Sequence, residues 1–171
     1  LGEGIIYDDS TQTVLWTDIY GKKLHTLKLE TPKQVLHRTY DLPKQLCSFG
    51  MIEGAEPLTL LCAWDDGFQI YDVANSTPKT AMSNGEDVSP KKAPARLNDG
   101  RTDRTGKRFV CGGYFGGVQG NLMKVFKVEQ NADGSLVHES VASDLEVANS
   151  ICWSLDGKTM YLADSPKKQI H

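Results

Sequence analysis

No Cys-x-x-Cys pair occurs among the four cysteines of this 171-residue chain, Cys47, Cys62, Cys111 and Cys152. A zinc ribbon and a thioredoxin-type redox motif are thereby excluded. A Gly-x-Ser-x-Gly elbow is missing too, which removes the signature of a serine hydrolase. No apolar run approaches the roughly 20 residues that a helix needs to cross a bilayer, so no membrane partner is expected. The chain opens at Leu1 rather than Met, and no charged segment followed by an apolar one marks a signal peptide. Basic residues are scattered rather than striped, and the net charge is −3, which disfavours nucleic acid as a partner. The run Ser89-Pro90-Lys91-Lys92-Ala93-Pro94 reads as a solvated connection. His25, His37, His138 and His171 share no register and read as surface or strand-packing residues.

Helical periodicity is equally scarce, and short strands separated by turn chemistry take its place. Val14–Ile19 is a strand, Tyr20-Gly21-Lys22-Lys23 a turn, and Leu24–Leu29 alternates apolar and polar with period two. Gln34–Tyr40 continues this meander. Cys47–Ile52, Leu58–Trp64 and Phe68–Asp72 form a second group around the Asp65-Asp66-Gly67 turn. Phe109-Val110-Cys111, Asn121–Val128 and Leu136–Ser140 form a third. Cys62 and Cys111 lie in apolar runs and read as small buried hydrophobes. Reduced thiols fit a cytoplasmic location.

Three stretches, starting at Glu3, Asn98 and Asn149, align without a gap. Each carries a polar turn (Asp8–Thr11, Asp103–Gly106, Ser154–Gly157) and then an apolar strand (Val14–Trp16, Phe109–Cys111, Met160–Leu162). Glu3 and Asn98 are 95 residues apart, and Asn98 and Asn149 are 51 apart. A missing mark near Cys47 or Ser48 would halve the first interval. The resulting period, about 48, matches four-stranded propeller blades. The expected architecture is all-β: one propeller domain with blades at about 1–45, 46–92 and 93–145 and part of a fourth at about 146–171. Propellers close with 4–8 blades, so the chain reads as incomplete as a folding unit.

The starts of innermost blade strands cluster at one mouth of the central channel. Glu3, Asn98 and Asn149 would meet there. One carboxylate and two amide carbonyls form a hard-oxygen set suited to Ca²⁺ or Mg²⁺. The competing reading makes Asn98, in Leu97-Asn98-Asp99-Gly100, a turn former and Glu3 a surface acid.

Leu1-Gly2-Glu3-Gly4 with Leu15-Trp16-Thr17-Asp18-Ile19 resembles the opening blade of the regucalcin / senescence-marker-protein / gluconolactonase family. Arg96–Phe109 resembles its most distinctive signature, and Asn149–Asp156 with Tyr161–Ser165 resembles the next. The matches are ordered and correctly spaced, and they correspond to the N-terminal part of a family member. The resemblance implies an incomplete six-bladed β-propeller, about three and a half blades, with one divalent metal in its channel. Ca²⁺ leads, with Zn²⁺, Mn²⁺ or Mg²⁺ as alternatives. It implies that Glu3 and Asn149 are metal ligands and that Arg96 and Asn98 bind substrate. The family's remaining ligand and general base is an Asp in a Pro-Asp-Gly motif, which does not occur within residues 1–171. The family's acidic residue before the Gly-x-Leu-Tyr strand finds no match in the Gly116-Gly117-Val118-Gln119 loop.

The activity implied by this resemblance is gluconolactonase-like hydrolysis of a sugar lactone by metal-activated water, with Arg96 stabilising developing negative charge. The 171-residue chain alone is expected to be weakly active or inactive. The alternatives are a calcium-binding regulatory protein without turnover and a protein-binding propeller, which share the architecture.

Overall fold

The computed structural model describes residues 1–31, 34–56, 58–88, 95–116 and 122–171. The basic run at 89–94 and most of the loop after Gly116 lie outside these residues. Every regular element among the described residues is a β-strand. The first sheet is β1 (Gly2–Asp8), β2 (Thr13–Asp18), β3 (Lys23–Thr31) and β4 (Gln34–Asp41), in chain order and antiparallel. The second is β5 (Leu46–Met51), β6 (Thr59–Trp64), β7 (Gly67–Asp72) and the short β8 (Thr77–Pro78). Strand β9 (Asn84–Gly85) then lies parallel to the outer edge of a third sheet, whose other strands are β10 (Ala95–Thr102), β11 (Phe109–Phe115), β12 (Met123–Gln130) and β13 (Leu136–Leu145). The fourth holds β14 (Ala148–Trp153), β15 (Met160–Asp164) and β16 (Gln169–Ile170).

The four sheets stand in a propeller-like ring, with the first strands β1, β5, β10 and β14 packed as successive neighbours. Three apolar clusters fill the seams. Leu15 and Leu24 meet Phe49, Leu60, Cys62 and Trp64 between the first and second sheets. Phe68 and Ala63 meet Phe109, Cys111 and Phe126 between the second and third. Val110 and Val125 meet Ala148, Ile151 and Leu162 between the third and fourth. These seams account for two sequence patterns. Strand β6 reads Leu-Leu-Cys-Ala-Trp without a break because both of its faces are covered. Strand β3 alternates because Leu24 and Thr26 face the seam, whereas His25 stacks on Trp16 and His37 on the other face, with centroids 5.1 and 5.3 Å away.

The closest approach across a seam is at Gly112. A Cβ there would lie 2.1 Å from Ala148 Cβ, a rigid neighbour that cannot swing aside. Gly112→Ala is therefore expected to destabilise the protein by about 1–3 kcal/mol, as overpacked cores do; chemical denaturation checks it, and a loss under 0.5 kcal/mol, roughly the surface-substitution range, contradicts it.

The repeated polar turns are tied by carboxylates. Asp103 Oδ1 accepts from the backbone N–H groups of Thr105 and Lys107, both at 3.1 Å. Fully buried Asp164 accepts from the N–H groups of Glu146 and Val147, at 3.1 and 3.2 Å. Burial alone would raise both pKa values. For Asp103 the Thr105 hydroxyl and the turn amides outweigh it, and for Asp164 the two amides and Lys167 do, so both stay below the usual carboxylate value. Since the unfolded chain then binds protons more readily, these groups stabilise the fold above about pH 4 and cease to do so as pH falls through their lowered native values. Melting temperature is expected to drop steeply below about pH 4. An Asp103→Asn, Asp164→Asn variant should show a shallower drop over the same range.

Candidate functional site

Each inner strand carries an equivalent pairing just before its bulge. Gly2 faces Asp18, Leu46 faces Trp64, Leu97 faces Gly113 and Ala148 faces Asp164. Each then carries one extra residue relative to its partner, in bulges between Glu3 and Ile6, Leu46 and Ser48, Leu97 and Gly100, and Asn149 and Cys152. Bulges re-aim the side chains beside them. The residue after this pair is Glu3, Cys47, Asn98 or Asn149. The missing repeat mark thus falls on Cys47, a residue without the side-chain oxygen that marks the other three. At the next position Gly4 and Ser150 have φ of 60° and 55°, and Gly4 adopts this left-handed conformation without strain.

Two of the expected site residues, Asn98 and Asn149, touch. Asn98 is 8% exposed, and its Nδ2 donates to Asn149 Oδ1 at 2.8 Å and to Ala148 O at 2.9 Å. Arg96, 6% exposed, donates from Nη1 to Asn98 Oδ1 at 2.7 Å and to Leu97 O at 2.8 Å. The direction of this relay is chemically forced. A guanidinium only donates, so Asn98 must turn its oxygen to Arg96 and its NH₂ to Ala148 O. Asn149 must then offer Oδ1 to Asn98, and its own Nδ2 donates to Ser165 Oγ at 2.8 Å. Asp99, not Asn98, accepts from the backbone N–H groups: its Oδ1 accepts from Gly100 N at 2.9 Å and its Oδ2 from Ile151 N at 3.2 Å. The turn-forming role open to Asn98 belongs to its neighbour.

Glu3 occupies the matching place on β1, exposed and without a hydrogen bond to either amide. Among the described residues no three His, Cys, Asp or Glu side chains gather as a metal cluster. By register, the residues at this equivalent position are one carboxylate and two amides. Such a set suits a hard cation: among the described residues no hydrogen bond engages the Glu3 carboxylate, and Asn149 Oδ1 keeps a second lone pair beyond the bond from Asn98.

Residues outside the expected set complete the mouth. The Arg96 guanidinium lies 4.6 Å from the Tyr114 ring centroid and 5.6 Å from that of Tyr20. Cation–π contacts of this kind hold a buried charge in place. A recess of about 480 Å³ adjoins it, lined by Tyr20, Gln45, Asp65, Arg96 and Tyr114. The Cys47 thiol is buried, which pushes its pKa up to about 12 despite Arg96, so it stands beside the guanidinium as a neutral group. These partners come from three sheets. The repeat alignment puts Ile19, Asp65, Tyr114 and Ser165 at one strand-end position, which is the signal that could have found Tyr114 and Asp65. The histidines stay away from the mouth; His138 packs between Phe68 and Phe126.

The family model for the SMP-30/Gluconolactonase/LRE-like region matches residues 1–171. The chain belongs to this family. Among the curated relatives of this SMP-30/gluconolactonase chain is L-arabinolactonase of Azospirillum brasilense, 30% identical over 99% of the chain and 53% of the relative. Regucalcin of Sus scrofa is 26% identical over 96% of the chain and 52% of the relative. Among solved structures, a calcium-binding protein, regucalcin, from Agrobacterium tumefaciens str. C58 superposes with a TM-score of 0.78 at 25% identity, over 99% of the chain and 52% of that protein. The chain spans about half the length of the curated relatives it matches.

Proposed function

We propose that this chain is part of a six-bladed propeller that hydrolyses a sugar lactone at the mouth where Arg96, Asn98 and Asn149 meet. The observation that carries the reading is the forced relay Arg96–Asn98–Asn149 beside an open recess. It leaves a guanidinium that is buried, fixed by two tyrosine rings and set in the wall of the recess. Such a group hydrogen-bonds a lactone oxygen and stabilises the negative charge that grows on it during attack, without reorganising. Both Nδ2 hydrogens of Asn98 and one lone pair of its Oδ1 are taken by protein partners, and it serves chiefly to orient Arg96 and Asn149. Glu3 and Asn149 would hold a divalent cation, Ca²⁺ first, with Zn²⁺, Mn²⁺ and Mg²⁺ as alternatives. When bound, it supplies Lewis acidity to the carbonyl group, and neutral amide ligands preserve that acidity. A cytoplasmic location fits the free thiols.

The names of the lactonase relatives support this substrate class. The test is hydrolysis of a panel of pentono- and hexonolactones by the full-length protein, before and after chelation. Turnover that is abolished by chelator and restored by one divalent ion is expected. Calcium binding without any lactone turnover would replace this reading with the regulatory one.

A further inference from the structure

Four buried side-chain polar atoms lack a partner among the described residues, and two of them, Asp65 Oδ1 and Arg96 Nε, belong to residues lining the recess. Asp65 follows β6 at the strand-end place that Tyr114 holds in the third sheet. Its N–H donates to Gln45 O at 3.0 Å, as Ile19 N does to Leu1 O and Ser165 N to Val147 O. Gln45 in turn holds the place of Arg96. The repeat geometry therefore fixes a carboxylate and a guanidinium at the same mouth, each with an atom unsatisfied and not paired with the other. Burial, with the neighbouring Asp66 behind it, disfavours the Asp65 charge, against the weaker pull of Lys44 and Lys22. Lys44 is itself engaged by Asp66 at 2.6 Å.

A buried acceptor and a buried donor left unpaired are both costly. Neither of these two atoms is itself open to the recess, so a ligand there meets the rest of each group: the Asp65 side chain is half-buried and lines the recess beside the guanidinium. We propose that Asp65 is a further substrate-binding residue, whose carboxylate accepts a hydrogen bond from a ring hydroxyl and so selects polyhydroxylated lactones over unsubstituted ones. The chemical class of the ligand rests on the lactonase reading above. The contact is non-covalent and moves no proton. Tyr20 and Tyr114 add the flat apolar surface against which the C–H face of such a ring packs.

The test compares Asp65→Asn and Asp65→Ala in the full-length protein. Kinetics are measured with a hydroxylated aldonolactone and with δ-valerolactone, which has the same ring and ester but no hydroxyl. Loss of a hydrogen bond to a charged group should reduce the preference for the hydroxylated lactone, read as the ratio of the two KM values, by roughly 10- to 100-fold. A ratio that stays within about twofold of the wild type in both variants overturns the proposal, whether the KM values rise together or do not move. Calorimetry with a ring sugar that lacks the ester separates this from the lactonase reading. If no lactone is turned over but Asp65→Ala weakens sugar binding tenfold or more, Asp65 stands and the enzymatic reading falls. If sugar binding is unaffected by Asp65→Ala, the assignment of Asp65 is wrong.

Discussion

Arg96→Ala is expected to lower kcat/KM for a sugar lactone by about 10²–10³, the usual cost of removing a preorganised donor from an oxyanion. Metal affinity should weaken by less than about tenfold, because Arg96 reaches Asn149 only through Asn98. Arg96→Lys should recover little. A lysine can still donate to Asn98 Oδ1, but it lacks the flat, delocalised group that packs between Tyr20 and Tyr114. The effect is local only if melting temperature is preserved. Removing Arg96 leaves Asn98 Oδ1 without its donor in a site only 8% exposed, so a modest loss of stability, about 1–3 kcal/mol, accompanies the kinetic change. Steady-state kinetics with metal titrations at saturating ion separate the two effects. A variant that loses metal binding entirely would make Arg96 part of the cation site's scaffold instead.

The second large effect concerns the cation. Glu3→Gln neutralises the carboxylate proposed as a ligand, and Asn149→Ala removes an amide oxygen. Each is expected to weaken divalent-ion affinity by more than about 100-fold. Asn98→Ala, at a residue proposed to orient Asn149 from behind, should cost about 10- to 100-fold, the range for outer-sphere partners. The ordering of the three losses is the informative part. Equal losses at 98 and 149 would put Asn98 in direct contact with the ion. No loss at position 3 would return Glu3 to the role of a surface acid.

Much of this site was legible in the sequence, because the repeat is written in residue chemistry that the backbone reads directly. The Asp and Ser turns, the apolar strands after them and the intervals of 95 and 51 residues fix a common register, and pairing and bulges follow it in all four sheets. The contact between Asn98 and Asn149 follows from the same register. What stayed hidden has physical causes. Cys47 occupies the fourth equivalent position, but a thiol buried against Arg96 needs no oxygen, so the mark is invisible to a search for polar residues. Strand β9 is two residues long and is held on β13 partly by His138, whose ring nitrogens meet Ser83 Oγ at 2.8 Å and Glu86 O at 2.6 Å. No local pattern announces such a strand. The tyrosine sandwich around Arg96 draws on Tyr20 and Tyr114, 94 residues apart, and only the ring of sheets brings them together. The engagement of both polar atoms of Asn98 also depends on donors and acceptors from two sheets.

The central claim is that the repeat register makes Glu3 and Asn149 ligands of one cation. Crystals of the full-length protein soaked in MnCl₂ test it through an anomalous-difference map. One strong peak within coordination distance of a Glu3 carboxylate oxygen and Asn149 Oδ1, at roughly 2–2.6 Å, is the predicted result. A peak bound elsewhere, or none with both side chains ordered and turned apart, would contradict it.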